Sequence, residues 1–482
     1  MNRLNALFLA TAAFVAAALA GCASSGGGAA AVAAGPAVQV WVTTADRSRL
    51  LSRDADLQFG AAASQALVID IDGSQRFQEF LGVGAAFTDA TSQLFASNLD
   101  PAARDALLHE LFGPAPGLGL SLMRVPIGAS DFSTRHYSLD DLGSGASDPA
   151  LTHFALEPEA SRTLALARAA RDINPRLRLV ASTWSAPAWM KDSGSLIRGR
   201  LLPQYYDAFA DYLLRFADAY RAQGVPLYAL TAQNEPGFEP VDYPGMRFDP
   251  ADRARFVGEH LGPKLAANAA APLFLDYDHN WDLPASPLQV LADPVAGKYV
   301  SAVAWHCYAG QIEAQTPVHD SYPAIGAIMT ECSGGEWDPG WSTGLRWFVG
   351  TLLVDGARNW GQGTILWNLA LDENHGPHLG GCTDCRGVVT IDSHSGAITR
   401  NVEYYSLAHL SRFVRPGAVR IASGDNAGEL RSVAYRNADD ASVALLVYNG
   451  AAQSRAFTVR FEQRSVSYQL PGESVATFVW QP

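Results

Sequence analysis

Tyr228-Ala-Leu-Thr-Ala-Gln-Asn-Glu-Pro236 is an apolar run that stops on an acid, and Ala327-Ile-Met-Thr-Glu-Cys332 repeats that form farther along the chain. Short apolar runs bounded by polar residues suit strands buried on both faces. A glutamate at the end of such a strand gives up water, a cost that a fold carries where the carboxylate has a partner or a task. Six more apolar runs flank these two, so the series reads Leu81–Phe87, Ser121–Ile127, Leu177–Thr183, Leu227–Gln233, Leu273–Tyr277, Val300–Trp305, Ile325–Thr330 and Thr364–Asn368. Helical patterns separate most of them, among them Glu159–Arg171, Tyr205–Gln223, Asp252–Asn268 and Gly344–Asn359. Strands alternating with helices imply parallel pairing, and eight repeats favour an α/β fold closed as a (β/α)8 TIM barrel. The strand count alone leaves an open doubly wound sheet as the alternative.

In a barrel the C-terminal strand ends ring one mouth, where Glu235 on the fourth strand and Glu331 on the seventh face each other. Two facing carboxyl groups are the requirement for cleaving a glycosidic bond. The eight run ends supply Asp89, Arg124, Trp184, Asn234 with Glu235, Asp278 with His279, His306 with Tyr308, Glu331, and Trp367. Ordinary loops would give more Gly, Pro and Ser there. Gly340-Trp-Ser-Thr-Gly344 matches a serine-hydrolase pattern, but no strand runs into it, as that motif needs.

The 482 residues exceed one barrel, and a net charge of −13 excludes nucleic acid or an anionic membrane surface as the main partner. Arg3, the apolar stretch Leu7–Ala20 and Leu19-Ala-Gly-Cys22 are similar to a bacterial lipoprotein signal, too short to span a bilayer. Cleavage before Cys22 would leave a lipid on that cysteine and make the lipid the one link to a membrane. The predicted scheme is a signal peptide at 1–21, a Gly/Ala/Ser tether at 22–37, N-terminal strands at 38–80, the barrel at 81–405 and alternating short strands at 406–482. The outer strands are expected to join into one side β-sandwich built from both ends of the chain. The predicted location is the periplasm or cell surface, as an outer-membrane lipoprotein. No protein partner is implied.

Gly82-Val-Gly-Ala-Ala-Phe-Thr-Asp89, Arg124-Val-Pro-Ile-Gly-Ala-Ser-Asp-Phe-Ser133, Ser182-Thr-Trp-Ser-Ala-Pro-Ala-Trp-Met-Lys191, Thr231-Ala-Gln-Asn-Glu-Pro236, Trp305-His-Cys-Tyr308, Thr330-Glu-Cys332 and Leu366-Trp-Asn-Leu-Ala-Leu371 occur in this order. Together they resemble glycoside hydrolase family 30, which includes glucosylceramidases and β-1,6-glucanases. The resemblance implies a retaining β-glycosidase with Glu235 as general acid/base and Glu331 as nucleophile, with no metal and no organic cofactor. It implies that Asp89 and Trp184 bind sugar hydroxyls, that Asn234 binds the 2-hydroxyl, and that Trp367 is a stacking floor. His306 and Tyr308 are implied near the nucleophile, counted with the substrate-binding set, and Arg124 is a support that keeps a carboxylate ionised. Burial or the charge of Glu331 should raise the pKa of Glu235.

The stretch from His375 to Ile391 departs from the animal glucosylceramidases and resembles bacterial and fungal members that include β-1,6-glucanases. Cys382 and Cys385 are a disulfide candidate in an exported protein, with zinc held by His375, His378, Cys382 and Cys385 as the alternative. Cys307 and Cys332 are expected as buried free thiols pointing away from the mouth. The implied substrate is a carbohydrate or glycolipid: β-1,6-glucan or gentio-oligosaccharides first, then glucosylceramide-type lipids, then xylan. A non-catalytic glycan-binding lipoprotein is the reading from another class, and the presence of both glutamates argues against it.

Overall fold

A computed structural model describes residues 35–60, 66–424 and 428–482. The predicted signal peptide, Cys22 and nearly all of the tether lie outside the described residues. Eight parallel strands form the centre: β1 (Gly82–Ala85), β2 (Leu122–Ile127), β3 (Arg178–Thr183), β4 (Ala229–Thr231), β5 (Leu273–Asn280), β6 (Val300–His306), β7 (Gly326–Glu331) and β8 (Gly361–Leu366). Each pairs with the next from β2 to β8, and β8 pairs in turn with β1. The ring closes where Phe87 N–H donates to Arg124 O at 2.8 Å and Ser121 N–H donates to Val83 O at 3.1 Å. Gly84 permits that approach, because a Cβ there would stand 2.2 Å from Leu122 O. Leu81, Leu122, Val180, Ala229, Leu275, Ala304, Ile328 and Ile365 fill the interior as one buried cluster, so the barrel is a packed core with its chemistry confined to the mouth.

The helices Pro158–Ile173 and Tyr206–Ala222 follow β2 and β3 near their predicted limits. The helical segments after β4 and β7 each contain a π-helical stretch, Val257–Leu261 and Arg346–Asp355. β5 runs on to Asn280, so Asp278 and His279 belong to the strand and do not follow it.

The second domain takes strands from both ends of the chain. Ala37–Thr44 pairs antiparallel with Ser474–Trp480. The long strand Leu67–Glu79 pairs with Arg455–Phe461 through its first half and with Val419–Ala422 through its second, so it bridges both sheets. Val38, Val40, Ile69, Ile71, Phe457, Phe478 and Trp480 pack between them as a separate core. The helical pattern does not end at Ser406: a helix spans Val402–Ser411, because its buried residues dock between the two domains. There, His409 Nε2 lies 2.8 Å from Thr43 Oγ1 and its Nδ1 lies 2.9 Å from Thr477 Oγ1.

Cys307 and Cys332 are bonded, which corrects the expectation of free thiols. β6 and β7 run in a register that sets His306 beside Glu331, so the residues that follow stand with their Cα atoms 5.3 Å apart. Two adjacent thiols pointing the same way off parallel strands meet the geometric requirement for a disulfide. Among the described residues no helix is long and apolar enough to cross a membrane.

Candidate active site

Arg124, midway along β2, is fully buried and organises the mouth. Its Nη1 donates to Glu331 Oε2, while Nη2 reaches Asp278 Oδ2 at 2.6 Å, Asn234 Oδ1 at 2.8 Å and Ser182 Oγ at 3.0 Å. The guanidinium carbon also lies 4.8 Å from the centre of the Trp184 ring. A planar, permanently charged fork with five donors can hold this many acceptors in fixed directions. Accepting through Oδ1 leaves the Asn234 amide nitrogen free to donate.

Asp278 lies opposite. It accepts from Thr330 Oγ1 at 2.7 Å, Thr231 Oγ1 at 2.8 Å and Ser182 Oγ, and stands 3.0 Å from His306 Nε2. Burial opposes its charge, but Arg124 foremost holds its carboxyl well below the usual carboxylate range. His306 Nδ1 is 3.1 Å from Glu235 Oε1 and 3.9 Å from Glu331 Oε1. One nitrogen against both carboxylates caps their separation at the sum of those two distances. For their Oε1 atoms that cap admits the roughly 5–5.5 Å of retaining pairs. Tyr308 OH donates to Glu331 Oε1 at 2.9 Å.

Glu235, Asp278 and Asn368 sit at positive φ, 47°, 55° and 58°, at the ends of β4, β5 and β8. Non-glycine residues in that region cost about 1–3 kcal/mol each and persist where their surroundings over-determine them.

The electrostatics reverse one expectation. Burial pushes Glu235 up, but hydrogen bonds and charge from His279 and His306 bring it down from 4.5 to about 2. Burial pushes His306 down, but Glu331, Asp278 and Glu235 raise it from 6.5 to about 9. The proton therefore rests on the imidazole, hydrogen-bonded to Glu235, and the two titrate as a pair. Glu235, His279 and His306 are also spaced as metal ligands could be, and both His306 nitrogens face carboxylates.

These shifts set a stability window. The depressed Glu235 stabilises the fold above its ordinary 4.5, and this is lost as pH falls toward about 2; the raised His306 stabilises below its ordinary 6.5, and this is lost as pH rises through about 9. The melting temperature is expected to peak between these ordinary values. His306→Gln should flatten the alkaline limb of a melting series across pH; an unchanged limb would contradict the pairing.

The glycosyl hydrolase family 30 TIM-barrel domain matches residues 80–414 and the family's β-sandwich domain matches residues 417–478. The chain belongs to glycoside hydrolase family 30. An endo-1,6-β-D-glucanase of Neurospora crassa is 34% identical over 471 residues, 93% of this chain and 96% of that protein. The lysosomal acid glucosylceramidase of Mus musculus is 28% identical over 461 residues, 89% of this chain and 87% of that protein. A solved endo-β1,6-glucanase structure superposes with a TM-score of 0.83 at 31% identity, covering 92% of this chain and 99% of that one.

In this family 30 glycoside hydrolase the carried-over residues separate into two groups. Glu235, Glu331, Asn234, Tyr308, Arg124 and Trp367 meet at the mouth, and Trp184 stacks on Trp367 with centroids 5.1 Å apart. Asp89 does not reach it: Ser133 Oγ donates to it at 2.5 Å, Tyr137 OH at 3.0 Å and Thr163 Oγ1 at 3.3 Å. It starts a helix that packs behind the barrel wall, so its acceptors are spent inside the fold. His306 is fully buried and cannot touch a substrate; it positions the glutamates.

Asp131, on the loop after β2, is the acid that stands beside Trp367. Burial foremost, then the charge of Glu331, pushes it up to about 8 against the lowering effect of the Trp367 indole. Asp131 is the one acid in the stretch Arg124–Ser133, which was the available signal for it. Lys191 Nζ donates to Ser185 Oγ at 2.8 Å, Gly245 O at 2.9 Å and Leu196 O at 3.0 Å, clamping the loops after β3 and β4.

Cys382 and Cys385 are bonded, which leaves no thiolate there for zinc; His375 and His378 each bring Nδ1 to a backbone carbonyl. Cys385–Arg386 pairs antiparallel with Gly334–Gly335, which ties the loop after β8 to the loop after β7. The cysteines also pack in the cluster of Phe132, Trp184, Trp367 and Tyr243.

Proposed function

We propose that this enzyme hydrolyses β-1,6-glucan with retention of anomeric configuration. Glu331 attacks the anomeric carbon while Glu235 protonates the departing oxygen; Glu235 then takes a proton from water as that water displaces Glu331. Arg124 and Tyr308 hydrogen-bond Glu331 and aim it. His306 holds the proton next to Glu235, so approach of the leaving oxygen draws it through the carboxyl group. Three carboxylates, Glu235, Glu331 and Asp278, face the two cations Arg124 and His306. One excess negative charge suits a transition state that gathers positive charge on the sugar.

The observation that carries the substrate is the likeness to fungal endo-1,6-β-glucanases across nearly the whole chain. The rim suits a glycan: Phe238, Tyr308 and Trp337 are large exposed aromatics on the loops after β4, β6 and β7. Sugar faces stack on such rings while their hydroxyls stay in water. Trp337→Ala is expected to lower kcat/KM on β-1,6-glucan about tenfold, the equivalent of ~1.4 kcal/mol, and to leave an aryl β-glucoside unaffected. Equal loss on both substrates would contradict a role outside the reacting sugar.

A glucosylceramide-type lipid is the second reading, favoured by Val241 and Leu379, which are exposed on the same rim. Initial rates on β-1,6-glucan and on glucosylceramide, assayed side by side, separate the two; turnover of the lipid alone would overturn the first.

We also propose export, with a lipid on Cys22 holding the catalytic unit at a membrane. The two disulfides support an oxidising compartment. Palmitate labelling is expected to be lost in Cys22→Ser.

A further inference from the structure

The segment between β2 and the helix Pro158–Ile173 carries a second group of ligating side chains, outside the Arg124 network. One atom each from Asp140, Asp148 and His153 lies within 4.8 Å of the others. Asp148 is locally satisfied: its Oδ2 accepts from His153 N–H at 2.8 Å and from Thr152 Oγ1 at 2.9 Å, and the same oxygen lies 2.8 Å from His153 Nδ1. Asp140 is not. It is 1% exposed, and neither of its carboxylate oxygens has a hydrogen-bond partner. The nearby indole N–H of Trp189 donates to the Asp140 backbone carbonyl at 3.1 Å.

A buried carboxylate with no donor is among the costliest arrangements in a protein interior, and native folds relieve it with a proton or a cation. Asp140 and Asp148 stand side by side, with the His153 imidazole completing the group.

We propose that Asp140, Asp148 and His153 bind one divalent cation of the zinc class. Two carboxylates and an imidazole are the donor set that Zn²⁺ accepts with a water completing the shell. The His153 side chain, 66% exposed, leaves the site open to that water. The ion would join the Asp140 turn to the Asp148–His153 turn and, through the Trp189 bond, brace the loop after β3 that carries Trp184.

The full chain, stripped with EDTA and titrated with ZnCl₂ by calorimetry, is expected to bind one Zn²⁺ more tightly than Ca²⁺. Asp140→Asn should abolish that binding, and His153→Gln, a surface change that leaves folding intact, should weaken it at least tenfold. Both variants should keep wild-type activity on an aryl β-glucoside. Absence of zinc binding, affinity unchanged in His153→Gln, or tighter Ca²⁺ than Zn²⁺ binding would overturn the proposal.

Discussion

Glu331→Gln is expected to lower turnover of β-1,6-glucan on the order of 10⁵-fold, which corresponds to ~7 kcal/mol of transition-state stabilisation. The amide nearly matches the carboxylate in shape, so the loss measures chemistry more than packing. A neutral amide cannot attack the anomeric carbon or balance the charge that develops there. Its loss also removes the anion that Arg124 Nη1, Tyr308 OH and the His306 ring share. Arg124 keeps Asp278 as a partner, so the fold should survive, and a circular dichroism melt on the same sample separates inactivity from unfolding. Activity within tenfold of wild type in a folded Glu331→Gln protein would contradict the assignment.

Glu235→Ala is expected to split by leaving group. On β-1,6-glucan, whose departing alkoxide needs a proton, the loss should be about 10³- to 10⁴-fold. On a dinitrophenyl β-glucoside the leaving group departs unaided, so the first step should stay fast and the second, which needs a base, should stall. A burst of dinitrophenol equal to the enzyme concentration is the expected signature, and azide, which needs no base, should restore turnover. The variant also removes the carboxylate 3.1 Å from His306 Nδ1. The alkaline limb of the activity profile should then shift, because that proton is held by the pair and not by Glu235 alone. Equal loss on both substrates, with no burst, would contradict the acid/base role.

The barrel was legible because its eight strands are short, apolar and separated by helices of ordinary length; β1 to β4 fall within the predicted runs and β5 to β8 overlap theirs. The closing pair of glutamates was legible for the same reason: an acid after a buried run has few structural explanations. What sequence could not supply was direction. Asp89 and Asp131 are both acids near the mouth, and only tertiary packing turns one toward Tyr137 and Thr163 and the other toward Trp367. The state of Glu235 was misread because the expectation weighed burial and Glu331, whereas the nearest charges are two histidines from β5 and β6. The Cys307–Cys332 bond depends on the register of β6 against β7, which no single-strand pattern encodes.

Proton NMR of the first sugar released from β-1,6-glucan tests the account most directly, because retention requires Glu235 and Glu331 to work as the close pair that His306 bridges. A β-anomer that precedes mutarotation is the predicted result. An α-anomer formed first would contradict it.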